Sequence, residues 1–478
     1  MRAVLCSLLL LVVAPAVVRA QATETTEPGP LAFTHVTVID ATGSPAQPNM
    51  TVVVSAKHVI AIGKSGEVKI PPSAQVTDAK GKFMIPGLWD MHSHVFMRKN
   101  KMLPLLTLNL FLAHGVTGVR DMGDQGLPDD FGIFPYVQDF EWREAIRAGA
   151  TLGPRLLLPG VIVDGVGAPR AGWASVATAE AARKEVIFLK SLGADFIKVH
   201  DHLSRDEFLA IAEETKKQGM SFAGHVPMAV SGAQSSDAGQ KSDEHLFGVL
   251  FGCSTKESEL MQKAVASGDA MRTYLENVQT VIDTYSEEKA AELFSKFVKN
   301  RTFQAPTIVR ISQLIEPVPM SDPRVAKYMS PALRAEYSTR FKPVTPEILA
   351  AQKLLYQYEA RLVGAMNRAG VTILAGTDNV LYGYGLHDEL KELVKAGLTP
   401  MQALQSATRN AADYLGTLDS MGTIEKGKLA DLVLLDANPL DSIDNTRKIF
   451  GVVVDGHFLN RQALDRMLAQ VEAAANPK

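Results

Sequence analysis

Cysteine is nearly absent from this 478-residue chain: it has Cys6 and Cys253 and no others. Cys6 falls inside an N-terminal apolar run, so a single thiol remains for the folded part. That excludes a disulfide framework and argues against a cysteine-ligated zinc site. Cys253 is expected to be a small buried hydrophobe. Charge of one sign is lacking too. The 49 basic residues against 52 acidic ones leave a net charge of −3, which argues against nucleic acid or an anionic membrane surface as a partner. No glycine-rich dinucleotide fingerprint follows an early strand. Beyond the first twenty residues no apolar run approaches the length of a bilayer span.

Those first residues are a different material. Arg2 precedes an almost wholly apolar stretch through Leu8 to Val13. Small residues surround Ala20, and the chain then turns polar at 21–27. This is the layout of a secretory signal peptide over 1–20, which would place the mature protein outside the cytoplasm, in a periplasm or secreted. The other reading is a membrane anchor. The run is short and contains Pro15, so removal is favoured and no stable anchor is expected afterwards.

The remainder divides by pattern. Segment 33–39 alternates apolar and polar residues, and 51–54 and 58–62 are β-branched runs. Near the other end, 430–435 and 450–454 read the same way, with Asp455-Gly456 a hairpin signal. Neither end can cover both faces of a sheet alone. The expectation is one small β-sandwich built from 21–83 and 420–478. Between them strand and helix patterns alternate. Eight candidate strands occur at 84–92, 116–121, 155–159, 196–200, 221–225, 243–247, 302–307 and 371–378. Helices at 179–192 and 205–218 end on Gly193 and Gly219. Eight such units across 84–419 predict an α/β fold, a (β/α)8 TIM barrel rather than an open sheet. Helix-rich insertions around 253–300 and 320–357 would form a lid or an oligomer contact.

Chemistry-bearing residues gather at predicted strand ends. His92 and His94 are two apart on a strand and so point the same way, as a pair of imidazole ligands or as two loop histidines. By the same parity Lys198 faces away from Ile197 and Val199 and into the barrel. There a buried ammonium needs a partner such as Asp195 or Asp201, or a lowered pKa. His225, His245 and Asp378 end later strands, each open to a bland reading as a capping or core-edge group. Together these six residues, at the ends of strands one, four, five, six and eight, would meet at one mouth.

Taken in order, the segments PGLWDMHSH, GVTGVRDMG, GPRLLLPG, DFIKVH, GHVP, DEHL and LAGTDN, followed by ALQSATRNAADYLG and GTIEKGKLADLVLLD, resemble the amidohydrolase superfamily. The likeness is to its branch of metal-dependent hydrolases similar to prolidases and imidazolonepropionases, and it spans roughly 37–454. The resemblance implies two divalent metal ions, zinc by default. His92 and His94 would bind one, His225 and His245 the other, with a CO2-derived carbamate on Lys198 bridging them and Asp378 completing the first site. It implies cleavage of an amide C–N bond in a small molecule by a metal-bridging hydroxide, with Asp378 as general base and then general acid. A dipeptide or N-acyl amino acid is the expected substrate. A cyclic or other non-peptide amide is the alternative, and a metal-containing binding protein without turnover is a third reading. Relatives are often multimeric, so a homo-oligomer is expected.

The chain departs from the family at 160–167, where many relatives carry a Gly-Gly-His stretch and this sequence has no histidine. Arg120 is a candidate contact for a substrate carboxylate or an ion-pair partner of Asp121 or Asp124. His387 is a candidate substrate contact or a helix-start polar residue. His200 and His202 are read as hydrogen-bonding neighbours of the metal site or as exposed.

Overall fold

The computed structural model describes residues 28–96, 104–123, 135–166 and 172–477, so the expected leader, Cys6 and Asp124 lie outside the described residues. The two chain ends do come together, and they do so in one continuous sheet. Strands Leu31–Val38, Gln47–Ser55, His58–Lys64, Gln75–Asp78 and Phe83–Pro86 join Leu432–Leu435, Ile449–Val454 and His457–Asn460 as an eight-stranded sheet. The seam is antiparallel, with Val433 opposite Ile85 and Leu434 opposite Met84. Strand parity then serves two cores. Met84, Leu432, Leu434 and Val453 pack with Phe33, Val36 and Val52 in a cluster of the sheet's own. Their neighbours Ile85, Val433, Val452 and Val454 belong to the main core. Phe33 and Phe458 meet edge to face at 5.1 Å, although four strand spacings separate their strands, roughly 19 Å in a flat sheet. The sheet therefore bends back on its own apolar cluster.

The middle of the chain is parallel. Leu88–Ser93, Val116–Asp121 and Arg155–Leu157 form one sheet. Ile162–Gly165, Phe196–Val199, Ser221–Gly224, Ser242–Glu244 and Phe303–Ala305 form another, with Ala174–Val176 added at its edge. Main-chain bonds link the two at both ends. The Asp195 amide donates to Leu158 at 2.8 Å. The Gln304 amide donates to Thr372 at 3.0 Å, and the Met91 amide to Ala375 at 2.8 Å. Segment 371–378 thus lies between Phe303–Ala305 and Leu88–Ser93. It makes one isolated bridge, Gln304 with Ile373, instead of the regular strand expected there. Gly376 permits this approach, because a Cβ on it would fall 2.6 Å from the Cβ of His92.

Several strands are shorter than their sequence patterns. The pattern at 243–247 stops pairing at Glu244, and that at 302–307 stops at Ala305. His245 (φ 61°), Leu246 (φ 60°) and Thr307 (φ 49°) adopt left-handed backbone, which turns the chain off the ladder. The parallel pair at Ile162–Gly165 and Ala174–Val176 had no counterpart in the sequence reading. Helix Arg205–Gln218 shows why the helical expectations hold. Ser204 and Glu207 cap each other's amides at its start, and Gly219 closes it at φ 66°. Three helices, Glu257–Ser267, Ala270–Asp283 and Glu287–Asn300, occupy the first insertion, and four more follow Phe303–Ala305 up to Pro346–Arg368. Cys253 is buried as expected.

Helix Pro346–Arg368 carries Glu359, a buried carboxyl whose Oε1 lacks a hydrogen-bond partner. Burial pushes its pKa up from 4.5 to about 8, against the opposing pull of Arg310. The folded state therefore holds a proton that the unfolded chain releases between those values. The stability this proton gives is complete below pH 4.5 and disappears as pH rises through about 8. The urea midpoint of the wild type is expected to fall from pH 5 to about pH 8, while that of Glu359→Gln stays more nearly level. Parallel midpoints in the two proteins would contradict this account.

Candidate metal centre

All six expected ligands line one cavity of about 390 Å³ at the ends of the parallel strands: His92, His94, Lys198, His225, His245 and Asp378. His92 is the fifth residue of strand Leu88–Ser93, and His94 follows it with the same parity. Lys198 projects from Phe196–Val199, whose other face puts Ile197 and Val199 into the main core. His225 and His245 each follow the last residue of a strand by one position. Asp378 sits just past segment 371–377, in left-handed backbone at φ 46°. Its amide, like that of Thr377, donates to the His92 carbonyl, at 2.8 and 2.9 Å.

Each imidazole is held by its Nδ1. That of His92 lies 2.7 Å from Glu244 Oε2, that of His94 2.9 Å from the Gly123 carbonyl, that of His225 2.6 Å from Asp201 Oδ1 and that of His245 2.6 Å from Thr307 Oγ1. The carboxylates and the carbonyl can only accept, so Nδ1 carries the hydrogen in His92, His94 and His225. Their Nε2 atoms, in the neutral rings, are bare lone pairs. Those of His92, His94 and His245 stand 3.9, 3.4 and 3.7 Å from the carboxylate oxygens of Asp378. The bare Nε2 of His92 beside the Asp378 anion is unfavourable in a buried space unless a cation or a proton lies between them. Two buried atoms underline the point, since neither His92 Nε2 nor Lys198 Nζ has a hydrogen-bond partner. The donor set thus fits divalent metal.

Titration behaviour agrees. Burial, and then the nearby Lys198 charge, lowers His92 to about 4. Burial holds His225 and His245 well below the usual imidazole range. These rings are neutral, as ligands must be; burial would lower His94 too, but the Asp378 carboxylate beside it raises its pKa instead. Burial lowers Lys198 to about 8, so an appreciable fraction is the free amine near neutral pH. Burial alone would raise Asp378, but the hydrogen bond with His94, ahead of the other histidines, holds it well below the ordinary carboxylate range. Among the described residues, His92, His245 and Asp378 bring donor atoms within 4.8 Å of one another.

Two expected substrate contacts are corrected. Arg120 is fully buried and absent from the cavity lining. Its Nε donates to the Met91 carbonyl at 2.5 Å, Nη1 to Ser242 at 2.7 Å and Nη2 to Glu244 Oε1 at 2.7 Å. It points into the parallel sheet's interior because Val119 takes the face toward the main core. Its ion-pair partner is Glu244, not an aspartate on its own strand. His387 is likewise fully buried, with Nδ1 2.9 Å from Thr446 Oγ1 and Nε2 3.0 Å from the His114 carbonyl. It ties helix Tyr384–Lys395 to its neighbours and does not reach the cavity. His200 lines the cavity, and its ring lies 4.0 Å from that of His225. His202 lies against Asp164.

Three functional side chains escaped the sequence reading. Glu244 fixes the His92 tautomer. Asp90 accepts from the His92 amide at 3.2 Å, the Thr377 amide at 3.1 Å and the Thr377 hydroxyl at 2.8 Å, so it clamps the turn that presents Asp378. Arg310, in the first turn of helix Ile308–Ile315, lines the cavity with its Nε 3.7 Å from Asp378. Alternation on 242–244 could have placed Glu244 inward. Nothing in the sequence signals Arg310, which follows an irregular turn.

The amidohydrolase family model matches residues 83–459. An adenine deaminase 2 of Agrobacterium fabrum is 25% identical over 371 residues, 76% of this chain and 47% of that protein, so the chain spans about half the length of this curated relative. Among solved structures, a Xaa-Pro dipeptidase with bound methionine superposes with a TM-score of 0.65 at 19% identity, over 90% of this chain and 100% of that one. The ochratoxinase of A. niger gives 0.64 at 20% identity, over 91% and 96%. At such identities the likeness speaks for the fold.

Proposed function

This chain belongs to the amidohydrolase family, and from that premise we propose that it is a metal-dependent hydrolase of amide C–N bonds acting on dipeptides or N-acyl amino acids. The observation that carries the reading is the convergence of the Nε2 atoms of His92, His94 and His245 on Asp378 beside a buried lysine with no hydrogen-bond partner. In this reading the two parallel sheets and segment 371–378 make a closed (β/α)8 barrel, and the bent eight-stranded sheet is its companion sandwich. His92, His94 and Asp378 would hold one divalent ion, His225 and His245 a second, and Lys198, as a carbamate, would bridge them. A divalent ion bound there lowers the pKa of water to about 7 and polarises a carbonyl.

The chain's own groups supply the rest. Asp378 is ionised and faces the cavity, so its carboxylate can take a proton from water and pass it to the departing nitrogen. An amide nitrogen leaves poorly without that proton. Glu244, Asp201 and the Gly123 carbonyl keep three histidines in one tautomer, so in each neutral ring the hydrogen sits on Nδ1 and Nε2 is the ligand atom. Arg310 gives the cavity a fixed cation, which supports a substrate bearing a carboxylate. Phe247, Trp173 and Ile162 offer apolar wall for its side chain.

Replacing Lys198 with alanine is expected to lower the metal content by at least one ion per chain, with short carboxylic acids restoring part of the activity. Unchanged metal content would remove the carbamate. In Asp378→Asn, turnover is expected to drop about 10²-fold or more while metal remains; full activity would end the proton-transfer role. A library of dipeptides, N-acyl amino acids and lactams tests the substrate. Carboxylate-bearing amides should be cleaved, with KM raised about tenfold or more in Arg310→Met. Cleavage of lactams alone would move the assignment to cyclic amides, and no metal-dependent hydrolysis at all would favour a binding protein.

A further inference from the structure

A second donor cluster adjoins the cavity and is not used by the reaction just described. Asp164 ends the strand Ile162–Gly165 one residue early, and His200 and His202 follow the strand Phe196–Val199. Their donor atoms lie within 4.8 Å of one another. His200 Nδ1 stands 3.2 Å and His202 Nδ1 3.1 Å from the same oxygen, Asp164 Oδ2. The other oxygen, Oδ1, is already fixed by the amides of Gly165 at 2.9 Å and His202 at 2.7 Å.

The hydrogens decide what this means. His202 Nε2 lies 3.0 Å from the Gly268 carbonyl, which only accepts, so Nε2 carries the hydrogen. Burial opposes a second proton on the ring, but the bonds to Gly268 and Asp164 favour one and raise its pKa; without it, Nδ1 is a lone pair facing a carboxylate oxygen. A second proton on His202 would settle that contact alone. It would leave His200 Nδ1, which is buried, 3.2 Å from the same oxygen and without a hydrogen-bond partner. A cation satisfies all three at once. The bond from the far ring nitrogen to a backbone carbonyl is also the arrangement that orients metal-ligating histidines.

We propose that Asp164, His200 and His202 bind a further divalent ion of the zinc class, separate from the ions of the catalytic cavity. Two imidazoles and a carboxylate are a borderline-soft donor set, and three protein ligands leave one coordination position open. The ion would pin the strand Ile162–Gly165 to the turn after Phe196–Val199. Gly165 is built for that closeness: a Cβ there would lie 2.0 Å from the His202 carbonyl oxygen. Through His202 it would also hold Gly268, whose neighbours Asp269 and Met271 line the catalytic cavity. Occupancy thus fixes one wall of that cavity.

Zinc per chain, measured after the full-length protein is equilibrated with zinc chloride and desalted, tests this. The wild type is expected to carry one ion more than His202→Ala and one more than Asp164→Asn; the latter keeps an oxygen for the two amides, should the alanine variant fold poorly. The count is a difference, so it reads the same whether the catalytic cavity holds two ions, one or none. Lys198→Ala should keep this ion while losing metal from the cavity. Equal zinc in the wild type and both variants would overturn the site and leave the hydrolase reading standing.

Discussion

Glu244 is a carboxylate with no exposure to water, and the metal centre depends on how it is kept ionised. Burial opposes its charge, but Arg120, first among the offsetting groups, brings it down to about 2. Arg120 and Ser242 occupy Oε1 at 2.7 and 2.6 Å, and Oε2 faces His92 Nδ1 at 2.7 Å. An ionised Oε2 can only accept, so the His92 hydrogen sits on Nδ1 and the lone pair faces the cavity. The tautomer of a candidate ligand is thus set by an arginine on the neighbouring strand that never reaches the cavity. Removing one member of such a buried pair costs about 3–5 kcal/mol. A change at Arg120 would therefore disturb folding and ligation together.

The other imidazoles repeat this logic with cheaper parts. Asp201 serves His225, the Gly123 carbonyl serves His94 and Thr307 serves His245. Each partner follows a parallel strand, as do the histidines themselves. Parallel strands send all their carboxyl ends the same way. The fold therefore brings ligands and the groups that orient them to one side with no long excursions of the chain.

That arrangement explains what could be read from the sequence. Period-two alternation placed His92 with His94 and turned Lys198 away from Ile197 and Val199, because a side chain's face on a strand is a local property. The same rule applied to Val116–Asp121 puts Arg120 inside, opposite Val119. What alternation cannot supply is depth. Arg120 lies below the mouth, and its partner Glu244 is 124 residues away. His387 was misread for a related reason. A helix start gives no sign of which way the helix docks, and here Thr446 and the His114 carbonyl take both ring nitrogens. The pairing of Ile162–Gly165 with Ala174–Val176 was equally invisible, since three- and four-residue strands carry too little pattern.

His200 joins the two donor clusters. Its ring lies 4.0 Å from that of His225, while its Nδ1 faces Asp164 and, at 3.8 Å, Asp201. Asp201 in turn holds His225. Charge placed between Asp164 and the two histidines is therefore felt at a candidate ligand of the catalytic cavity through one ring in contact and one shared carboxylate. Buried groups here screen each other poorly, so each added cation must be met by an anion nearby. Asp164, Asp201, Glu244 and Asp378 supply those anions, while Arg120 and Arg310 already consume part of them. The proposed conversion of Lys198 from an ammonium to a carbamate would replace a cation with an anion at the centre of the array. Without that conversion the donors around Asp378 would have to hold divalent charge beside a buried ammonium, and the repulsion would fall on the ligands themselves.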